Sequence, residues 1–304
     1  MVHERVHEIL AHATISYQDD RRTPPEATGV FEEVAAYHER HKPQALLVAE
    51  KGKTVYEAYG NGLGADTPHA LYSGTKSFWG VTATIAEREG LLSLDEPVAQ
   101  TIPEWKEHPW KARATLRQLL QLTAGVPFGG LGAAVPIYSK ALPTELRAEP
   151  GATFTYGGIP LQIFGAVFSR KLQKLELTPH EYLEARILKP NGIAVASWRR
   201  LSDGTQPLPT GAFLTAQNWL SYGEFVRAHR SEFAQCFVGS QANARYGLGW
   251  WLAPHGTQSG LFYASGSGGQ ALYVIPSIEI VAVRYGGGGS YNHEAFLKRL
   301  APAH

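Results

Sequence analysis

The chain is poor in the residues that carry several common chemistries. One of its 304 residues is cysteine, Cys236, so no internal disulfide can form. With no histidine beside it in sequence, this thiol is expected to be a small buried hydrophobe. No run of about 18 or more apolar residues occurs, and Met1 to Ile15 lacks a basic segment followed by an apolar one. Neither a membrane span nor a signal peptide is expected, and a cytoplasmic location is the default, although a chain trimmed of its leader reads identically. An excess of one charge is also missing: 28 Lys and Arg face 27 Asp and Glu, a net charge of +1. That balance argues against nucleic acid or an anionic membrane as partner. Oligomeric state is not fixed by the sequence. No Gly-x-Ser-x-Gly occurs, which removes the strand-to-helix serine turn of α/β-hydrolases.

What is present describes a globular protein. At 44% hydrophobic and 18% charged residues, the chain can bury a large core, as one elaborate domain or two closely packed ones. His3-Glu4-Arg5-Val6-His7 formally matches a zinc-protease pattern, but it lies at a terminus and has no third ligand in view. The remaining histidines are scattered, so no metal and no organic cofactor is called for. Asp19 to Gly29 reads as a loop. Phe31, Val34, Ala35 and His38 then mark a helix that stops before Pro43. Leu46 to Ala49 and Val55 to Tyr59 form a hairpin around Lys51-Gly52-Lys53. Gly60 to Ala65 fits a loose dinucleotide fingerprint but does not open a helix and is read as a loop, and Gly266, Gly268 and Ala271 spell it again but are followed by a strand, so that match is set aside. Thr115 to Leu122 and Leu161 to Leu172 carry helical periods. Gln173 to Ser240 mixes short helices with Pro/Gly loops. From Tyr246 the pattern turns to β: Tyr246 to Leu252, Leu261 to Ala264, Ala271 to Ile275 and Ile278 to Arg284, before a last helix from Asn292 to Leu300.

Chemistry concentrates in Leu71-Tyr72-Ser73-Gly74-Thr75-Lys76-Ser77-Phe78. This stretch ends an apolar run and opens a helix with Phe78, Val81 and Ile85 on one face, closed by Gly90. Ser73 falls in the first turn and Lys76 one turn later, which puts their Cβ atoms about 5 to 6 Å apart on a shared face. A serine hydroxyl needs a neighbour to take its proton, and a lysine kept neutral by burial can do so. Free amides at the helix start favour an oxyanion beside Ser73. Ser-x-x-Lys alone has little specificity, and the same residues serve equally as a cap and a solvated lysine. The second notable place is Tyr156, between the Pro150-Gly151 turn and the helix that follows.

Taken together, Ser73-Gly74-Thr75-Lys76, Tyr156-Gly157-Gly158, Tyr246 to Trp251 and Ala264-Ser265-Gly266-Ser267-Gly268-Gly269-Gln270 resemble the serine β-lactamase and penicillin-binding-protein superfamily. The class C-like branch of esterases, D-amino-peptide hydrolases and 6-aminohexanoate-dimer hydrolases is the nearest part of it. The resemblance implies an α/β (α+β) fold, an antiparallel sheet flanked by terminal helices with a mainly helical region inserted. Residues 1–68 and 242–304 would form the sheet domain, and residues 69–241 the helical domain carrying the nucleophile. It implies Ser73 as acylated nucleophile, Lys76 as its proton acceptor and Tyr156 as shared base and acid. The backbone amides of Ser73 and Ser267 would form the oxyanion hole. Gly158, Ala264, Ser265, Gly266 and Trp250 are the substrate-binding candidates.

Two positions depart from the family pattern. Gly158 stands where Asn is common, and Ala264 stands where Lys or His is usual. Without that cation a substrate carboxylate loses a charged hydrogen bond, worth about 1.5–3 kcal/mol. Arg284 is a candidate replacement. The leading expectation is a serine hydrolase that forms an acyl-enzyme on short neutral esters, more active above neutral pH. The alternatives are an amide hydrolase, of β-lactamase, D-aminopeptidase or 6-aminohexanoate-dimer hydrolase type, and a silent penicillin-recognising or sensor module. The small-molecule partner is accordingly an ester or an amide.

Overall fold

A computed structural model of the protein describes residues 15–16 and 29–302. The terminal histidine pattern and the Asp19 loop, as far as Thr28, lie outside the described residues. Strand β1 (Ile15–Ser16) precedes helix α1 (Gly29–Glu39), which ends before Pro43 opens β2 (Pro43–Glu50). β2 turns into β3 (Lys53–Tyr59) through Lys51 and Gly52, both at positive φ (52° and 77°), the backbone a two-residue hairpin of matching twist requires. β4 (His69–Ala70) leads into a tight 3-10 turn, Tyr72–Lys76, and then α2 (Ser77–Arg88). Next come α3 (Leu116–Leu120), α4 (Tyr138–Ala141), α5 (Ile159–Leu172) and α6 (Pro179–Leu183). β5 (Ser197–Trp198), β6 (Ala212–Leu214) and α7 (Ala216–Ala228) complete the middle of the chain. It returns through β7 (Trp251–Leu252), β8 (Phe262–Gly266), β9 (Gln270–Ile275) and β10 (Ile280–Gly286) to α8 (His293–Leu300).

Seven strands form one sheet in the order β1-β3-β2-β10-β9-β8-β7, antiparallel except for the β1–β3 pair. Its two sides are both covered. Leu46, Val48, Tyr273 and Ala282 pack with Phe296 and Leu297 of α8 and Val34 of α1. Leu47, Leu272, Val281 and Val283 pack with α2 and α7 on the opposite side. Double coverage explains why β10 is buried at every position and reads as a continuous apolar run rather than an alternating one. The expected mixed fold, an antiparallel sheet flanked by terminal helices, is the one observed, and the two helices share one side of the sheet. Among the described residues, no helix is long and apolar enough to cross a membrane.

Two stretches differ from expectation. Of the β-type run Tyr246 to Leu252, Trp251 and Leu252 alone form a strand. The rest is a loop laid across α2, so close that a Cβ on Gly80 would strike the Leu248 carbonyl. Gly249, at φ 84°, meets the carbonyl of Lys76. Glycine at these positions permits the close approach of the two backbones. The region after Gln173 holds more than short helices. Its two short strands join β4 in a second sheet of order β4-β6-β5, with β6 in the middle, and the 13-residue helix α7 lies on the large sheet. There Gly223 lets α7 in: a Cβ would stand 2.6 Å from side-chain carbons of Leu272 and Val281. Cys236 is fully buried, as expected.

Candidate active site

Ser73 lies in the 3-10 turn that precedes α2, not in the α-helix itself. In such a turn, side chains three residues apart eclipse. Lys76 Nζ accordingly reaches Ser73 Oγ at 2.9 Å. The turn is held from several sides. Gly74 lies against the Trp219 ring of α7, where a Cβ would come within 2.8 Å, and Leu71 N donates to Ala212 O of β6 at 3.0 Å. Tyr72 carries φ 47°, a strained backbone for a bulky residue, directly before the serine.

The lysine is buried to 1% of its surface. Its ammonium hydrogens find Ser73 Oγ, the Pro209 carbonyl at 3.3 Å and the face of Tyr156, 4.8 Å from the ring centroid. Among the described residues no carboxylate pairs with it. Burial therefore pulls its pKa from 10.5 to about 7. Tyr156 is brought in by the loop after Gly151 (φ 88°) and fixed by Thr155 N donating to Leu122 O. Its ring stacks on Trp251 (5.8 Å, 22°) and stands edge-on to Tyr246. Burial raises its hydroxyl pKa, and a hydrogen bond with Ser73 pulls it partly back.

Opposite them, β8 ends against the nucleophile turn. A Cβ on Gly266 would collide with the Leu71 carbonyl, so glycine is what lets Ser267 approach Ser73. The Gln270 amide locks this corner, donating to Ser267 O (3.0 Å) and Gly286 O (2.7 Å) while accepting from Gly286 N (2.9 Å). Ser73, Lys76, Tyr156, Ser265, Gly266 and Ser267 line a single cavity of about 610 Å³.

Three expected substrate contacts fall elsewhere. Ala264 is 1% exposed and belongs to the core on the α2 and α7 side of the sheet. Trp250 is wholly buried, stacked on Tyr222 and edge-on to Phe262; its neighbour Trp251 lines the cavity instead. Gly158 caps α5 and donates to Gly129 O at 2.9 Å, and any side chain there would strike the Gly130 carbonyl. The loop around Gly130 and Leu131 thus fills the place of the missing Asn side chain. Arg284 is not a replacement cation: it is fully buried, and its guanidinium is held by the carbonyls of Gly269 and His41. His293, Tyr263, Thr210 and Leu131 also line the cavity and were not foreseen. Among the described residues, no group of three or more His, Cys, Asp or Glu side chains comes together.

A beta-lactamase family profile matches residues 35–296. The chain belongs to the beta-lactamase family. Members of this family are, in general, serine hydrolases. No curated protein matches the sequence significantly. Among solved structures, the chain is similar to EstCE1, described as a hydrolase with promiscuous acyltransferase activity. The two are 15% identical, with 89% of this chain and 97% of that one covered and a TM-score of 0.71. A D-stereospecific amidohydrolase from Streptomyces matches at 15% identity, 90% and 97% coverage and TM-score 0.70. An octameric penicillin-binding protein homologue from Pyrococcus abyssi matches at 18%, 88% and 75% coverage and TM-score 0.65. Such identities speak for a shared beta-lactamase-type fold and leave substrate choice to the residues of this chain's own cavity.

Proposed function

We propose that this protein is an esterase of the beta-lactamase family that cleaves short, uncharged esters through an acyl-enzyme on Ser73. The observation that carries the reading is Lys76: fully buried, 2.9 Å from Ser73 Oγ and with a pKa brought to about 7. A neutral amine there can take the serine proton as Oγ attacks the ester carbonyl. Tyr156, which touches both groups, passes a proton to the departing alkoxide. The amides of Ser73 and Ser267 face the oxygen on which charge develops. A water molecule then repeats the sequence on the acyl-enzyme, with Lys76 and Tyr156 again moving the proton.

Uncharged substrates follow from the three groups that do not reach the cavity. Ala264 is buried, Gly158 has no room for a side chain, and Arg284 is tied to backbone carbonyls behind the sheet. A carboxylate entering the cavity would give up its water and find no cation in the lining besides Lys76, which must be neutral to act as base. The test is hydrolysis of p-nitrophenyl butyrate and of a chromogenic cephalosporin by the wild type and Ser73→Ala. The expected result is ester turnover lost by at least about 10³-fold in the variant, with little cephalosporin turnover in either. Ester turnover that survives Ser73→Ala would overturn the site, and preferential cephalosporin turnover would move the reading to an amide hydrolase.

A further inference from the structure

The cavity has a second polar end that the acylation chemistry leaves unused. Ser265 of β8 and His293, the first residue of α8, both line it, with Ser265 Oγ 2.9 Å from His293 Nε2. Behind the imidazole, Nδ1 lies 2.7 Å from the hydroxyl of Tyr273, which lies 2.5 Å from that of Tyr291. Sheet register builds this row. Ser265 is opposite Ala271, which is opposite Arg284, while Tyr263 is opposite Tyr273, so all of them face α8. Four polar groups form one chain leading from the cavity into the layer between sheet and helix.

Neutral hydroxyls and one neutral imidazole can pass their hydrogen bonds along such a chain in one direction or the other. The inner end decides. The Tyr273 and Tyr291 hydroxyls can pair in either sense, and the sense that leaves no hydroxyl proton without an acceptor has Tyr291 donating to Tyr273 and Tyr273 donating onward to Nδ1. Arg284 favours the same sense: its guanidinium lies 3.7 Å above the Tyr291 ring and makes that hydroxyl the stronger donor. Burial, with the Arg284 charge, brings the His293 pKa down to about 4, so the ring is neutral at assay pH. With Nδ1 accepting, the one ring proton sits on Nε2 and is donated to Ser265 Oγ. The hydroxyl proton of Ser265 is then left over for whatever fills the cavity.

We infer that His293, backed by Tyr273 and Tyr291, is a positioning residue that fixes Ser265 as a hydrogen-bond donor to an uncharged acceptor oxygen of the substrate, a carbonyl or ether oxygen away from the scissile bond. The inference rests on the esterase reading and narrows it to esters that carry a further acceptor oxygen outside the scissile ester group.

Two measurements test it. The first compares p-nitrophenyl hexanoate with analogues in which an ether oxygen replaces one methylene at successive positions of the acyl chain. The wild type is expected to favour one analogue by about 2- to 10-fold in kcat/KM, mainly through KM, as one neutral hydrogen bond allows. In His293→Phe and Ser265→Ala that ratio should fall to about one. A merely structural role would lower both esters together and keep the ratio, which would overturn the inference, as would a wild type with no preference at any position. The second measurement reads the His293 tautomer directly by long-range ¹⁵N–¹H correlation at pH 7. A proton on Nε2 supports the inference, and a proton on Nδ1 overturns it. The tautomer does not depend on turnover, so a failure of the esterase reading and a failure of this one are told apart.

Discussion

Lys76 is asked to be both buried and basic, and these demands pull against each other. Holding its pKa at about 7 rather than 10.5 corresponds to roughly 5 kcal/mol of cost in the folded state. Because the folded value is the lower one, the unfolded chain binds the extra proton between pH 7 and 10.5. Stability is therefore lost as pH falls through that window, and the cost is complete below about 7. Lys76→Met is expected to abolish turnover yet raise the melting temperature, with a gain that grows from pH 10 to pH 7 and then levels off. Calorimetry across that range checks it; a gain independent of pH would contradict it. The same amine gives the ester hydrolysis rate a rising limb centred near pH 7. Ser73, Lys76 and Tyr156 are legible in the sequence because each sits at a junction between a loop and a helical period. Trp250 is misread for Trp251 because strands alternate, so a slip of one residue changes the side. His293 meets Ser265 across 28 residues, and no local spacing rule predicts that pair.

At the scale of elements, the start of α5 shows which of two effects wins. Asparagine is a better helix cap than glycine by only a few tenths of a kcal/mol. At Gly158, however, its Cβ would strike the Gly130 carbonyl, with Pro209 at 3.1 Å on another side, and overpacking against backbone costs about 1–3 kcal/mol. Gly158→Asn, which restores the residue common in the family, is expected to lower stability by about that amount and to bring no cephalosporin turnover. An unchanged urea midpoint would refute this account. The long elements were legible for ordinary reasons: α5 has Leu161, Phe164, Phe168 and Leu172 in helical period, and the β2–β3 hairpin has its Lys51-Gly52 turn. The second sheet was not, since its strands are two or three residues long and too short to show a period. α7 carries a signal in retrospect, Thr215 capping it by accepting from Asn218 N, but the surrounding Pro/Gly loops obscured it.

For the molecule as a whole, acid is the vulnerable direction. Burial holds four histidines below their usual 6.5: His69 lowered, His38 well below, His180 to about 3 and His293 to about 4. Between pH 6.5 and about 4 the unfolded chain binds protons that the folded one does not. Stability should therefore fall with pH by up to about 1.4 kcal/mol per unit for each histidine. Guanidinium midpoints at pH 7 and 5.5 measure the slope, and equal midpoints would contradict it.

The pairing of β2 with β10, from Glu50 opposite Ile280 to Ala45 opposite Tyr285, also sets a timetable. A ribosome adds roughly 5–20 residues per second, so β2 emerges tens of seconds before the strand that will lie beside it. Until then the hairpin Pro43–Tyr59 has one edge of unpaired amides and carbonyls, and apolar side chains on both faces, Leu46 and Val48 on one and Leu47 on the other, without the later elements that bury them. An open, hydrophobic edge of this kind is where chains pair with one another. The newborn chain is thus most exposed to aggregation during synthesis, and its yield should depend on how fast it is made and on which chaperones attend it.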